Sequence, residues 1–147
     1  MQRQSWQIVV MAAALSLALV GPVRGQADAG LTKMLVESYD LLEAGKLAEA
    51  QKIYEQILKQ DPGNPLALNN LGAIKVKENK LPEALAYLSQ AQDRARGYKI
   101  KVNRVCDMQG LCLAFRPLEA VYGNQYLAPL VQLNLSLVRS KLAEEKK

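Results

Sequence analysis

The six residues Gly45-Lys46-Leu47-Ala48-Glu49-Ala50 return 34 positions later as Asn79-Lys80-Leu81-Pro82-Glu83-Ala84. The lysine, the leucine, the glutamate and the alanine keep their places. A recurrence at fixed period is the mark of stacked units, each unable to bury its apolar face alone. The surrounding periodicity says what the unit is. Leu31, Met34, Leu35, Ser38, Leu41 and Leu42 fall three and four apart, which makes one stripe of a helix. Ala44-Gly45 stops it, glycine being suited to a left-handed cap. Leu47, Ala50, Ile53, Tyr54, Ile57 and Leu58 make a second stripe. Asp61-Pro62-Gly63-Asn64-Pro65 is a turn. Leu68, Leu71, Gly72 and Ala73 open a third helix that Asn79 interrupts. Pro82 sits where a first helical turn tolerates proline, and Leu85, Leu88 and Ala91 line a fourth helix. Residues 31–96 therefore predict two helical hairpins joined by short loops.

This segment resembles the tetratricopeptide repeat, a helix-turn-helix unit with a 34-residue period. Gly45, Ala50, Tyr54 and Pro62 stand at the family's spacing in a first repeat, 31–64. Leu71, Gly72, Ala84, Leu88 and Ala91 do so in a second, 65–96. Small residues at Ala50, Ala84, Ala91 and Gly72 let two helices approach closely, where a larger group would overpack. Tyr54 and Leu88 would plug the space between neighbouring hairpins. The pattern departs from the family at Glu37-Ser38, Ile57, Lys75 and Arg96.

Two hairpins leave an apolar end to cover. From Gly97 the periodicity changes to apolar–polar alternation, Tyr98-Lys99-Ile100-Lys101-Val102-Asn103-Arg104-Val105, the signature of a strand. With Asp107 and Gly110 as turn residues, 98–116 predicts a β-hairpin inserted between helices, with 97–126 as the whole insertion and connector. Residues 118–126 read as a short helical turn. Residues 127–147 predict a C-terminal capping helix, a degenerate third repeat in which Asn134-Leu135-Ser136 resembles Asn70-Leu71-Gly72. Strict alternation over 131–137 is a competing strand signal. Pro129, the leucine-rich composition and the charged tail favour helix. The fold class expected is thus mainly α: two stacked tetratricopeptide hairpins, a small disulfide-linked β-hairpin and a capping helix.

The N-terminus predicts a secretory signal over 1–27. Arg3 precedes an uncharged apolar run from Ile8 to Gly21. Pro22 follows, and Gly25-Gln26-Ala27 offers small residues for cleavage before Asp28. The alternative is an uncleaved membrane anchor, although the run is short of the ~20 apolar residues that spanning takes. Cleavage would place the chain in the periplasm or outside the cell. It would also remove Arg3 and Arg24 and lower the formal net charge from +5 to +3. That balance does not by itself imply nucleic acid.

Composition narrows the chemistry. At 147 residues, 50% hydrophobic and 22% charged, the chain is a globular protein of about one domain. It has no histidine, which removes Ser-His-Asp and Cys-His nucleophile systems and histidine-based metal sites. Its two cysteines, Cys106 and Cys112, are too few for a Cys-only zinc site. In an exported protein they are expected to pair across the hairpin. Free thiols, or redox work, are the alternatives. No catalytic residue, cofactor or metal ligand emerges, and the expectation is a non-enzymatic module.

The resemblance implies a concave groove that holds a peptide or a partner helix. Carried over by position, its lining is Thr32, Leu35, Tyr39, Leu42 and Glu43, then Leu66, Asn69, Asn70, Ala73, Val76 and Lys77. Asn69 and Asn70 are the best polar anchors, because an amide bonds both the N–H and the C=O of an extended chain. The alternative is that both are merely solvated. The positions where some relatives clamp a terminal carboxylate are Leu35 and Tyr39 here, so that clamp is missing. A second candidate surface is basic: Arg94, Arg96, Lys99, Lys101 and Arg104, opposed nearby by Asp93. It suits an anionic partner, or it is a charged face that blunts a sheet edge. Aromatic residues do not interleave with these cations, which argues against nucleic acid. Three functions follow: a polypeptide-binding envelope module, a structural subunit that self-associates through its repeat faces into homo-oligomers, and a thiol-active assembly factor.

Overall fold

The computed structural model describes residues 29–100, 102–108, 111–118 and 125–147; within these, the side chains of 103–108, 112 and 125 are not described. The signal segment 1–27 lies outside the described residues. Among the described residues no helix is long and apolar enough to cross a membrane.

Four helices come first: α1 (Ala29–Glu43), α2 (Leu47–Gln60), α3 (Pro65–Lys77) and α4 (Leu81–Arg94). The repeated sextet turns out to be a helix stop and restart. After α1, the Gly45 N–H reaches the Leu42 carbonyl at 3.1 Å and the Lys46 N–H reaches the Leu41 carbonyl at 2.9 Å, with Gly45 at φ +75°. After α3, Asn79 bonds Val76 at 3.0 Å and Lys80 bonds Lys75 at 2.8 Å, with Asn79 at φ +60°. Both are the paired closure that satisfies the last carbonyls of a helix through a left-handed residue. Each returns the chain antiparallel. Between the pairs, Asn64 caps α3: its side-chain oxygen accepts from the Leu66 and Ala67 N–H groups at 3.1 and 3.0 Å.

The helices stack in chain order, α1 on α2, α2 on α3 and α3 on α4. Ala50, Tyr54, Ala84, Leu88 and Ala91 are all fully buried. A methyl group on Gly72 would sit 2.9 Å from Leu88 Cγ and 3.3 Å from the Ala84 carbonyl, so the α3–α4 crossing is closed to any larger residue there. Two departures from the family pattern find partners. Ser38 returns its hydroxyl to the Leu35 carbonyl at 3.1 Å. Lys75 lies buried with its ammonium between Gln51 at 3.1 Å and Glu78 at 2.9 Å.

Beyond α4 the structure differs in extent from the expected single hairpin 98–116. There are two antiparallel ribbons. The first pairs β1 (Lys99–Ile100) with β4 (Gln125–Tyr126), where the chain leaves and re-enters the helical body. Gln125 and Tyr126 are therefore strand, not the helical turn expected of 118–126. The second pairs β2 (Val102–Met108) with β3 (Leu111–Pro117). Its register sets Arg104 opposite Phe115 and Cys106 opposite Cys112, with irregularities on either side of Cys106. The disulfide expected here is not supported: none is found among the described residues, and the side chains of Cys106 and Cys112 lie outside them.

The chain ends in α5 (Ala128–Glu144), packed on α4. Its buried residues are Val131, Asn134, Leu135 and Val138, spaced three and four apart, which resolves the competing strand signal in favour of helix.

Candidate functional site

α3 is the hub. Every residue from Pro65 to Val76 is buried, which fits a helix that is apolar nearly all round. Its one strongly polar pair, Asn69-Asn70, faces the side lined by α1, α3 and α5. The sequence predicts an open groove there. The structure fills it with β3, which lies against all three helices.

The seat of β3 is an amide network. The Asn70 amide nitrogen donates to the Phe115 carbonyl at 2.8 Å and to the Tyr54 hydroxyl at 2.9 Å, while its oxygen accepts from the Phe115 N–H at 2.9 Å. One side chain thus holds both main-chain groups of one β3 residue. The Asn69 amide nitrogen donates to the Leu113 carbonyl at 2.8 Å. Asn134 of α5 donates to the same carbonyl at 2.8 Å and to the Asn69 oxygen at 2.9 Å. Asn69, Asn70 and Asn134 are all fully buried. Buried amides are tolerable only when partnered, and mutual satisfaction is what lets three of them share this interior.

Side chains complete the seat. Leu113, Ala114 and Phe115 are fully buried, so both faces of β3 join the core. At the rim, Arg116 donates to Asp40 at 3.1 Å and lies over the Tyr39 ring at 5.9 Å. Burial pushes the Tyr54 hydroxyl up to about 12, with Ser38 and Asn70 pulling weakly the other way. Burial, reinforced by Glu43, also pushes Tyr39 to about 12. Both phenols stay neutral at any ordinary pH.

The residues predicted to line a groove are thereby placed. Leu35, Tyr39, Leu42, Leu66, Asn69, Asn70, Ala73 and Val76 are buried; Thr32 and Lys77 are half-buried, and Glu43 is exposed. What Asn69 and Asn70 hold is an extended chain, and that chain is the protein's own. Asn134 and Phe115 complete the site and were not singled out from the sequence. The likeness of Asn134-Leu135-Ser136 to Asn70-Leu71-Gly72 was the signal for the first. Nothing local marks the second.

Of the basic set, Arg94, Arg96 and Lys99 are exposed. Lys99 lies 4.5 Å from the centre of the Tyr126 ring, a cation–π contact that steadies the β1–β4 ribbon. Lys101 and the Arg104 side chain lie outside the described residues. Among the described residues no cluster of three metal-ligating side chains occurs.

Comparison with known proteins agrees with the helical pairs. Residues 41–103 match the tetratricopeptide repeat family. No curated protein and no solved structure matches the chain.

Proposed function

Because this chain carries tetratricopeptide repeats, whose general role is protein–protein interaction, we propose that it is a non-enzymatic interaction module of the cell envelope. Its partner is a polypeptide met on the side lined by α1, α3 and α5, with the β2–β3 hairpin forming the floor of that side. The observation that supports this reading is the hold of Asn70 on Phe115. This face binds extended main chain, and its own strand already satisfies it. A partner then meets the hairpin and the rim, not bare asparagines. The secretory pattern of 1–27 supports export, with periplasmic or external action after cleavage. α5 serves as the first helix of a third unit, and export would let Cys106 and Cys112 join across the register that sets them opposite each other.

The test is photocrosslinking in envelope extract. A crosslinker replacing Glu43 or Lys77, at the rim, is expected to trap a protein that the same group at Glu55, exposed on α2, does not trap. Equal adducts from both faces, or none, sink the reading. Intact mass of the exported protein reads signal cleavage and thiol pairing together.

Self-association has one observation in its favour. Tyr126 and Leu133 are 54% and 44% exposed near the C-terminal end of the stack. Light scattering across concentration decides it, and a strict monomer removes it.

A further inference from the structure

Helices that alternate in direction give the bundle two ends, and here the two are charged differently. At one end α1, α3 and α5 begin while α2 and α4 finish. Gln60 of α2 donates to the Met34 sulfur of α1 there at 3.7 Å. The Leu127 N–H, just before α5, donates to the Tyr98 carbonyl, just after α4, at 3.0 Å. Arg94, the last residue of α4, lies over the α2–α3 turn, its Cδ 3.3 Å from where a methyl group on Gly63 would sit. Lys59, Arg94, Arg96 and Lys99 are all exposed at this end. Among the described residues none of these four cations is in an ion pair. Asp61 and Asp93 stand against them, and the Asp61 carboxylate already accepts from the Asn64 amide at 3.2 Å. The opposite end matches its charges. Lys75 and Lys80 share Glu78 at 2.9 and 3.0 Å, and the chain runs out through Glu144-Glu145-Lys146-Lys147.

We propose that the basic end of the bundle rests on an anionic phospholipid surface. This deepens the envelope reading above and rests on it. Three features carry it. The first is the set of unpaired cations, each of which gains about 1 kcal/mol beside an anionic bilayer. The second is Tyr126, exposed at the same end with Lys99 4.5 Å from its ring centre. A ring with a polar tip beside a cation suits the depth of lipid headgroups, and Leu133, also exposed, stands in the second turn of α5. The third is where the chain enters. The apolar run Ile8–Gly21 joins α1 at this end through residues 22–28. Seven residues reach at most about 25 Å. While that run sits in a bilayer, as signal or as anchor, the basic end is the nearer one. An acidic protein would explain the cations alone, whereas a membrane explains the cations, the exposed ring and the entry point together. The opposite end, with Glu43 and Lys77, then points away from the surface and stays open to the polypeptide partner.

The test uses the chain from Asp28 onward, which holds every described residue and lacks Trp6, the sequence's one tryptophan. Tyr126→Trp therefore installs a single emission reporter. Vesicles of equal parts phosphatidylcholine and phosphatidylglycerol are expected to shift that emission to the blue, and pure phosphatidylcholine is not. Glu49→Trp, exposed at the opposite end, should show no shift with either. Binding should weaken with added salt. Arg94→Glu combined with Lys99→Glu, both on exposed side chains, is expected to weaken vesicle binding by about tenfold or more. Should that variant fail to fold, Arg96→Glu alone is expected to weaken it by about fivefold. No blue shift, equal binding to neutral vesicles, an equal shift from both reporters, or full affinity in the charge variants overturns the proposal. So does the same blue shift from polyglutamate or from inorganic phosphate alone, which would give the cations to an acidic protein or a free anion. Crosslinks from Glu43 and Lys77 that persist through such a failure leave the interaction module standing without this surface.

Discussion

α3 has two seams, and they are built on opposite rules. Toward α4 it offers Gly72 to Leu88 and Ala84, a contact of shape alone with no room for one methyl group. Toward β3 it offers Asn69 and Asn70, a contact of amides in which every donor aimed at the strand has an acceptor. The first seam tolerates no added volume. The second tolerates no lost hydrogen bond. A helix buried on every side can have both, because the helical repeat fixes the one and the inserted hairpin completes the other.

The comparison breaks most severely at Asn70. Asn70→Leu keeps the volume but leaves the Phe115 N–H and C=O buried and unpaired, and removes a partner of Tyr54. A loss of about 3 kcal/mol is expected in denaturant unfolding. A loss below about 1 kcal/mol would mean that β3 is not seated as described. Gly72→Ala tests the other seam and should cost about 2 kcal/mol by overpacking against Leu88. Combined with Leu88→Ala it should recover part of that loss, since the two residues touch.

Smaller effects sharpen the loops that set up the seams. Glu78 is held below its ordinary value of 4.5 by hydrogen bonds from Lys75 and Lys80. A carboxylate lowered in this way contributes stability above its unfolded value and loses it as pH falls through the folded one. Glu78→Gln is therefore expected to cost up to about 1 kcal/mol at neutral pH, and the variant and parent should converge as acid carries the pH down through the lowered folded value. Asn79→Gly, at the left-handed stop after α3, should stabilise by about 0.5 kcal/mol, because glycine takes that conformation without steric cost. Midpoint shifts in urea measure both.

The legibility of the molecule follows the same division. The stops at Gly45 and Asn79 are local events, written in adjacent residues, and the 34-residue rhythm made them readable. Gly72 and the alanines were readable because close approach needs small residues wherever it occurs. Asn69 and Asn70 could be singled out as holders of main chain, since the amide carries both a donor and an acceptor. Their ligand could not be read. Phe115 lies 45 residues from Asn70 along the chain, and no local pattern in Leu113-Ala114-Phe115 says which surface it will enter. Alternation marked 98–105 as extended, but not that Lys99–Ile100 would pair with Gln125–Tyr126 while Val102 onward paired with β3. In α5 the alternation over 131–137 yielded to the helical spacing of Val131, Asn134, Leu135 and Val138, which is what packing on α4 requires.

The amide that Asn134 extends to Asn69 joins residues 65 positions apart, and this has a consequence in time. A ribosome delivers the two repeats first, yet α3 still lacks the β3 carbonyls and the Phe115 N–H that will partner its asparagines. Contacts this remote in the chain slow folding, since loop entropy must be spent before they form. The nascent repeats therefore reach their final packing only after the last helix has been synthesised.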